Sequence, residues 1–284
     1  MYKLLNGKEL AEKVKEEVKQ EVLAMNENGQ EVRLAVIQVG DNAASDTYVR
    51  NKQNACKYVG IKSATYKLDE TATESIILGI IEELNNDDKV NGILVQLPLP
   101  NHIDEHKVIQ AIAPEKDVDG FHELNVGKLM IGEETFVPCT TKGIIELLKA
   151  NNIKIEGMNC VVVGRSNIVG KPTAIELLRH NATVTICHSK TEPLKQICKE
   201  ADILICAVGK PKFFNKDYIG YNTVVVDVGI HRQDDGKLCG DVDFEDVKDR
   251  VACITPVPNG VGAMTTAMLT KNCVLAAKMQ YAMK

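Results

Sequence analysis

The chain has 284 residues, which at about 100–200 residues per domain makes two domains or one large α/β domain. Its 34 basic residues stand against 39 acidic ones, so no basic excess marks a nucleic-acid surface, and 44% hydrophobic with 26% charged residues is the mix of a folded globular chain. No run reaches the ~18 apolar residues of a membrane span and MYKLLNGKELAEKV has no apolar signal core, so a cytoplasmic protein without a membrane partner is expected.

Leu10, Val14, Val18 and Val22 recur every fourth position among Lys and Glu, which predicts an amphipathic helix over 8–25. LAVIQVG (34–40) reads as a buried strand, 45–59 as a helix stopped by Gly60, 63–68 as a second strand and 73–84 as a helix. GILVQLP (92–98) is a third strand, followed by a short helix at 104–111 and the polar turn PEKDVDG (114–120). This alternation is the signature of a parallel sheet.

A second α/β series begins with a helix at 142–150 and the strand NCVVVG (159–164). Helices at 169–180 and 191–200 alternate with strands at 182–187 and 202–209, and strands at 224–229 and 252–256 precede a long final helix over 262–282. The join between halves falls near 125–145 and has no Gly/Ser tether, so two packed α/β domains with a cleft between them are expected, the cleft being where small molecules bind. The nine cysteines are odd in number, lie mostly in apolar runs and never form C-x-x-C; they read as buried free thiols, with no metal cluster.

The strand at 159–163 runs into Gly164-Arg165-Ser166-Asn167-Ile168-Val169-Gly170, a turn that presents backbone N–H groups to an anion at a helix N-terminus. It departs from G-x-G-x-x-G: Ser166 takes the place of the second glycine and Val169 that of the third. An NAD site places a carboxylate at the end of the next strand, but that end reads Cys187-His188-Ser189-Lys190. A hydroxyl and a cation there, with Arg165 in the turn, suit a 2′-phosphate, so NADP is favoured over NAD.

In the first half, Ser45, Tyr48 and Lys52 stand at i, i+3 and i+7 of one helix and so share a face. Tyr-x-x-x-Lys is a pair that can move protons. Gln96 is a polar residue at the carboxyl end of an apolar strand, where ligands bind in parallel sheets, and Asp117 and Asp119 lie in a glycine-ended turn from which both carboxylates could face the same opening. Short-chain dehydrogenases also use Tyr-x-x-x-Lys, but there the nucleotide turn comes first; here the order is reversed.

These blocks, with VGDNAASDTYVRNK (39–52), GILVQLPLP (92–100), PEKDVDGFH (114–122), PCTTKG (138–143), VVVGRSNIVGKP (161–172), GDVDF (240–244) and TPVPNGVGAMT (255–265), resemble the bifunctional methylenetetrahydrofolate dehydrogenase/methenyltetrahydrofolate cyclohydrolase (FolD) family nearly end to end. Ala43, Thr141, Asn259 and Ala263 depart from it, standing where the family usually has Pro, Pro, Gly and Pro.

The resemblance implies NADP-dependent oxidation of methylenetetrahydrofolate followed by hydrolysis to the formyl form, within one-carbon metabolism and purine biosynthesis. It implies that Lys52 is the acid/base group, that Tyr48 stacks on the folate, that Gln96 orients the lysine and that Asp119 binds the pterin, with Ser45, Leu97 and Pro98 also on the substrate. Gly164, Arg165, Ser166, Val169, Gly170, His188, Ser189, Lys190 and Ile230 are then the cofactor residues. It further implies a folate-binding catalytic domain over 1–140 with the last helix (262–284) packed back on it, a Rossmann-type NADP-binding domain over 141–261, and a homodimer joined through the cofactor domains. Loss of the lysine would mark a dehydrogenase-only relative, and loss of Tyr48, Lys52, Gln96 and Asp119 a non-catalytic NADP sensor; all four are present.

Overall fold

The computed structural model describes residues 2–282, with the side chains of Ala43 and Ala44 outside the described set. In chain order the elements are β1 (Lys3–Leu4), α1 (Gly7–Glu27), β2 (Arg33–Val39), α2 (Ala43–Val59), β3 (Lys62–Leu68), α3 (Glu74–Asn86), β4 (Gly92–Val95), α4 (Glu105–Gln110), α5 (Glu123–Ile131) and α6 (Cys139–Ala150). They continue with β5 (Asn159–Val163), α7 (Gly170–Arg179), β6 (Thr183–Cys187), α8 (Leu194–Lys199), β7 (Ile203–Cys206), β8 (Val224–Asp227), β9 (His231–Arg232), β10 (Leu238–Cys239), α9 (Phe244–Val247), β11 (Cys253–Ile254) and α10 (Val261–Ala282). No described helix is long and apolar enough to cross a membrane.

The chain divides into two compact units. One holds the stretch ending at Ala11 together with Pro138–Thr265; the other holds Glu12–Val137 and the stretch from Thr266 onward. The second of these carries a three-stranded parallel sheet in the order β3-β2-β4. β4 is buried along its whole length, as an apolar run without alternation requires. Ile37, Ile93 and Val95 pack with Ile77 and Ile81 of α3 and Val108 of α4. On α1, Val14, Val18 and Val22 are all buried, the face that the four-residue spacing predicts. Lys116 is buried and donates to the carbonyls of Leu84, Asn85 and Asp87, so its ammonium satisfies the open end of α3. α10 is tied to this unit by Asn272 Nδ2 on the Val118 and Val137 carbonyls and by Gln280 Nε2 on those of Asn91 and Glu115.

The other unit carries a six-stranded sheet in the order β1-β11-β8-β7-β5-β6, with every pair parallel. This is a doubly wound arrangement: the chain leaves β5 to build β6 on one side, then crosses to build β7 on the other. The order reverses beside β5, and in such sheets the crevice at the carboxyl ends of the strands there binds ligands. Residues 2–11, expected with the folate-binding half, join this unit because Lys3 and Leu4 pair with Cys253 and Ile254.

Two strands are shorter than the apolar runs suggest. The run 92–98 leaves the ladder after Val95, although the Gln96 N–H still reaches the Ile37 carbonyl at 2.8 Å. The run 202–209 stops at Cys206, because the N–H groups of Val208 and Gly209 turn away to a buried carboxylate. β1, the β9–β10 pair, α5 and α9 were not expected from the sequence. None of the nine cysteines is in a disulfide among the described residues; eight are buried and Cys253 is half-buried.

Candidate functional site

In the three-stranded unit, β2 delivers the chain into α2, and the Asn42 carboxamide accepts from the Ser45 N–H at 3.2 Å at the start of that helix. Ser45 is buried, Lys52 is half-buried and Tyr48 is 39% exposed, so the predicted face runs from the core outward. Lys52 Nζ donates to Gln96 Oε1 at 3.1 Å. Gln96 is itself buried, and its Nε2 donates to the Leu97 carbonyl at 2.6 Å. The amide is therefore held with its oxygen toward the lysine. The structure thus joins α2 to the carboxyl end of β4, the pairing expected of Lys52 and Gln96. Leu97 is half-buried and Pro98, after a cis peptide bond, is exposed.

Two neighbouring groups are poor proton carriers. Partial burial pushes the Tyr48 phenol above its ordinary value. Burial pushes the Cys56 thiol, one turn from Lys52, up to about 12 even with the Lys52 charge pulling it down.

Asp117 and Asp119 differ in burial. Asp117 is buried and accepts from the N–H groups of Gly120 (3.1 Å) and His122 (2.8 Å) and from Asn125 Nδ2 (2.8 Å). It holds the turn together and, with Asp119, also borders a small cavity beside β4. Asp119 is half-buried, two residues beyond the bridge between Asp117 and Ile93 that lays this segment along β4.

In the other unit, a cavity of about 300 Å³ opens at the carboxyl ends of β5 and β7. Gly164, Arg165, Ser166, His188 and Ser189 line it, as the sequence led us to expect. Gly164 adopts φ +135°, and a Cβ there would lie 2.2 Å from the Ala207 carbonyl oxygen. Ser166 Oγ accepts from the N–H groups of Val169 and Gly170, both at 3.2 Å, so the residue in the second glycine's place caps α7. The third glycine's job falls to Gly170 and not to the Val169 position: a Cβ on Gly170 would lie 2.2 Å from the Gly164 carbonyl oxygen. The turn is the fingerprint lengthened by one residue, which is why the strict spacing fails.

His188 Nδ1 accepts from the Lys190 N–H at 3.2 Å, which fixes the turn after β6. Arg165, Ser189 and Lys190 are exposed, and among the described residues no carboxylate lines the cavity. Val169, Gly170, Lys190 and Ile230 do not line it; Ile230 packs over Gly262 at the start of α10. Sequence reading missed Leu194, Ala207, Val208, Lys210 and Phe213, which with Val163 at the end of β5 complete the wall. Four of these lie in AVGKPKFF directly after β7, and the strand next to β5 was the signal that could have found them. A cavity with glycine-limited backbone approach, cations, a hydroxyl and no carboxylate fits a phosphorylated dinucleotide.

Three departures from the expected pattern have local explanations. Thr141 is buried in α6, and its hydroxyl meets that of Thr173 in α7 at 2.9 Å, a bond proline could not make. Asn259 adopts φ 77°, and Asn is among the few non-glycine residues that accept the left-handed region. The N–H of Ala263 donates to the Gly260 carbonyl at 3.3 Å in the first turn of α10. The Ala43 side chain lies outside the described residues.

Comparison with known proteins bears on the whole chain. The family model for the tetrahydrofolate dehydrogenase/cyclohydrolase catalytic domain matches residues 5–119, and that for the NAD(P)-binding domain of the same family matches 138–281. The chain is 59% identical to the bifunctional protein FolD of Agathobacter rectalis, over 98% of this chain and 100% of that protein. Among solved structures, the FolD methylenetetrahydrofolate dehydrogenase/cyclohydrolase of Campylobacter jejuni is 49% identical with a TM-score of 0.96, covering 98% of this chain and 99% of that one. The Trypanosoma brucei dehydrogenase-cyclohydrolase, solved with NADP cofactor and an inhibitor, is 35% identical with a TM-score of 0.94, covering 99% of this chain and 98% of that one.

Proposed function

Since this chain belongs to the tetrahydrofolate dehydrogenase/cyclohydrolase family, we propose that Lys52 and Gln96 serve two consecutive reactions on a one-carbon folate. The chain is an oxidoreductase and a hydrolase: it oxidises 5,10-methylenetetrahydrofolate to the 5,10-methenyl form with NADP and hydrolyses that product to 10-formyltetrahydrofolate. The observation that carries the reading of the site is the 3.1 Å bond from the Lys52 ammonium to a carboxamide whose orientation is fixed by its neighbour's carbonyl.

The folate occupies the face made by α2, the end of β4 and the 117–120 turn. Tyr48 offers a ring to stack on, and Asp119 offers a carboxylate to the N–H donors of the pterin edge. Ser45, Leu97 and Pro98 border the same face. The first reaction asks little of an acid or base, because a neighbouring nitrogen lone pair drives hydride off the methylene carbon. NADP, when bound, accepts that hydride. In the second reaction water attacks the methenyl carbon, a proton leaves the incoming water, and another reaches the ring nitrogen as its bond to carbon breaks. Lys52 manages these protons, and Gln96 keeps its Nζ on line.

In the other unit, the backbone around Gly164 and Ser166 takes the phosphates, while Arg165, Ser189 and Lys190 take the 2′-phosphate; Val169, Gly170, His188 and Ile230 shape the surrounding turns. The three-stranded unit is the catalytic domain and the six-stranded unit the cofactor domain. The chain works as a homodimer through the cofactor domains, a reading supported by the open edge of β6 and the exposed Ile186 and Leu178 on this unit. Nine cysteines, mostly buried and none in a disulfide among the described residues, support a reducing, cytoplasmic setting.

An absorbance assay with methylenetetrahydrofolate and NADP tests the function. The methenyl chromophore should appear and then decay faster than it does spontaneously; no chromophore, or decay at the spontaneous rate, would remove the first or the second activity.

A further inference from the structure

Asp241 lies outside the cofactor cavity and is completely buried, yet its carboxylate takes four donors. Oδ2 accepts from the N–H groups of Val208 at 2.6 Å and Gly209 at 3.0 Å. Oδ1 accepts from the N–H of Lys210 at 2.9 Å and from His231 Nε2 at 2.8 Å. Three successive backbone N–H groups make a concavity that ordinarily holds an external anion. Here the chain's own carboxylate fills it.

The segment so held forms one wall of the cavity, since Ala207, Val208 and Lys210 all line it. It also passes close to the glycine turn, an approach that only glycine allows: a Cβ on Gly164 would lie 2.2 Å from the Ala207 carbonyl oxygen. Asp241 is itself anchored: its N–H donates to Asp227 Oδ1 at 2.8 Å, and Asp227, at the end of β8, also accepts from Gly229 at 3.0 Å and Val242 at 2.9 Å. The line of support therefore runs from the end of β8 through two buried carboxylates to the cavity wall.

We propose that Asp241, braced by His231, is a positioning residue of the cofactor site: it moulds residues 207–210 into the wall against which the dinucleotide seats. This rests on the reading of that cavity as the NADP site. The carboxylate lies behind the cavity lining, so its effect is on affinity and reaches the other unit's hydrolysis only if folding is lost. An amide in its place has one acceptor oxygen and turns an N–H donor toward at least one of the N–H groups it must hold, so the wall relaxes.

The test compares wild type, Asp241→Asn and His231→Ala by calorimetric titration with NADP, by dehydrogenase kinetics and by cyclohydrolase rate on methenyltetrahydrofolate. Asp241→Asn should raise the dissociation constant and KM for NADP at least fivefold, with dehydrogenase kcat within twofold and cyclohydrolase unchanged. A residue needed for folding alone would instead lower kcat and both activities together at constant KM. If wild type does not bind NADP, the cavity reading fails and takes this proposal with it. If wild type binds but the variant binds within twofold of it, only the proposal is overturned. Should Asp241→Asn not fold, His231→Ala, at a part-exposed position, decides: a two- to threefold loss of NADP affinity supports the proposal and no loss overturns it.

Discussion

The Lys52 ammonium, on α2, donates at 3.1 Å to the carboxamide oxygen of Gln96 at the carboxyl end of β4, 44 residues away in the chain. The amide cannot turn freely, because its nitrogen is committed to the Leu97 carbonyl at 2.6 Å. A general acid or base contributes only when its proton is aimed at the reacting atom, and in the mechanism proposed above this contact supplies the aim, with Gln96 directly after the strand that the β2–β4 ladder holds.

Cofactor choice follows from the cavity's charges. Arg165 is exposed on the cavity wall, and among the described residues no carboxylate lines that cavity. A hydrogen bond to a charged group is worth roughly 1.5–3 kcal/mol, so Arg165→Ala should raise the KM for NADP about tenfold or more and leave that for NAD nearly unchanged. Steady-state kinetics with both cofactors check this; equal effects on the two would refute the 2′-phosphate assignment.

Asp119→Ala should weaken folate binding, since the pterin donors lose a charged acceptor, while the NADP dissociation constant stays near wild type. Asp117 gives the contrast: its carboxylate holds three donors of the turn, so Asp117→Ala should lower the thermal midpoint. Loss of NADP binding in the Asp119 variant would mean that it supports the fold.

How much of this was legible in the sequence depends on distance along the chain. Strands buried on both faces write themselves as unbroken apolar runs, which is why LAVIQV, NCVVV and DILIC were readable. The Tyr48/Lys52 face was readable because helix spacing is local. β1 was not, since Lys3 and Leu4 are both exposed and their pairing partners lie at 253 and 254. The β9–β10 pair is equally short and partly polar. The end of β7 was misjudged because nothing in AVGK announces a carboxylate at 241. The site shows the same division: the Gly164 turn could be found locally, whereas the wall from Ala207 to Phe213 required the strand order.

Burial pushes the Asp227 carboxyl up to about 7, against the pull of the backbone N–H groups of Val242, Asp241 and Gly229 and with the Asp241 charge adding to the rise. A carboxyl raised above its ordinary 3.8 holds its proton more tightly folded than unfolded. Its contribution to stability is therefore full below that value, falls as pH rises, and is gone above about 7. Carbon NMR of the aspartate carboxyls should show one signal titrating near neutrality that Asp227→Asn removes. A spectrum in which every carboxyl is ionised by pH 5 would contradict it.

Lys52→Met removes the ammonium at the centre of the proposed mechanism while keeping the side chain's length. Tyr48, with its phenol pushed up by burial, and Gln96, which does not titrate, cannot take over the proton transfers of water attack. General acid–base groups typically contribute about 100- to 10,000-fold, so cyclohydrolase activity should fall by at least the lower figure. Hydride transfer depends mainly on positioning and should persist in part. Both half-reactions are measured on one purified variant, with circular dichroism as the folding control. A folded Lys52→Met protein that keeps full cyclohydrolase activity would remove Lys52 from the mechanism.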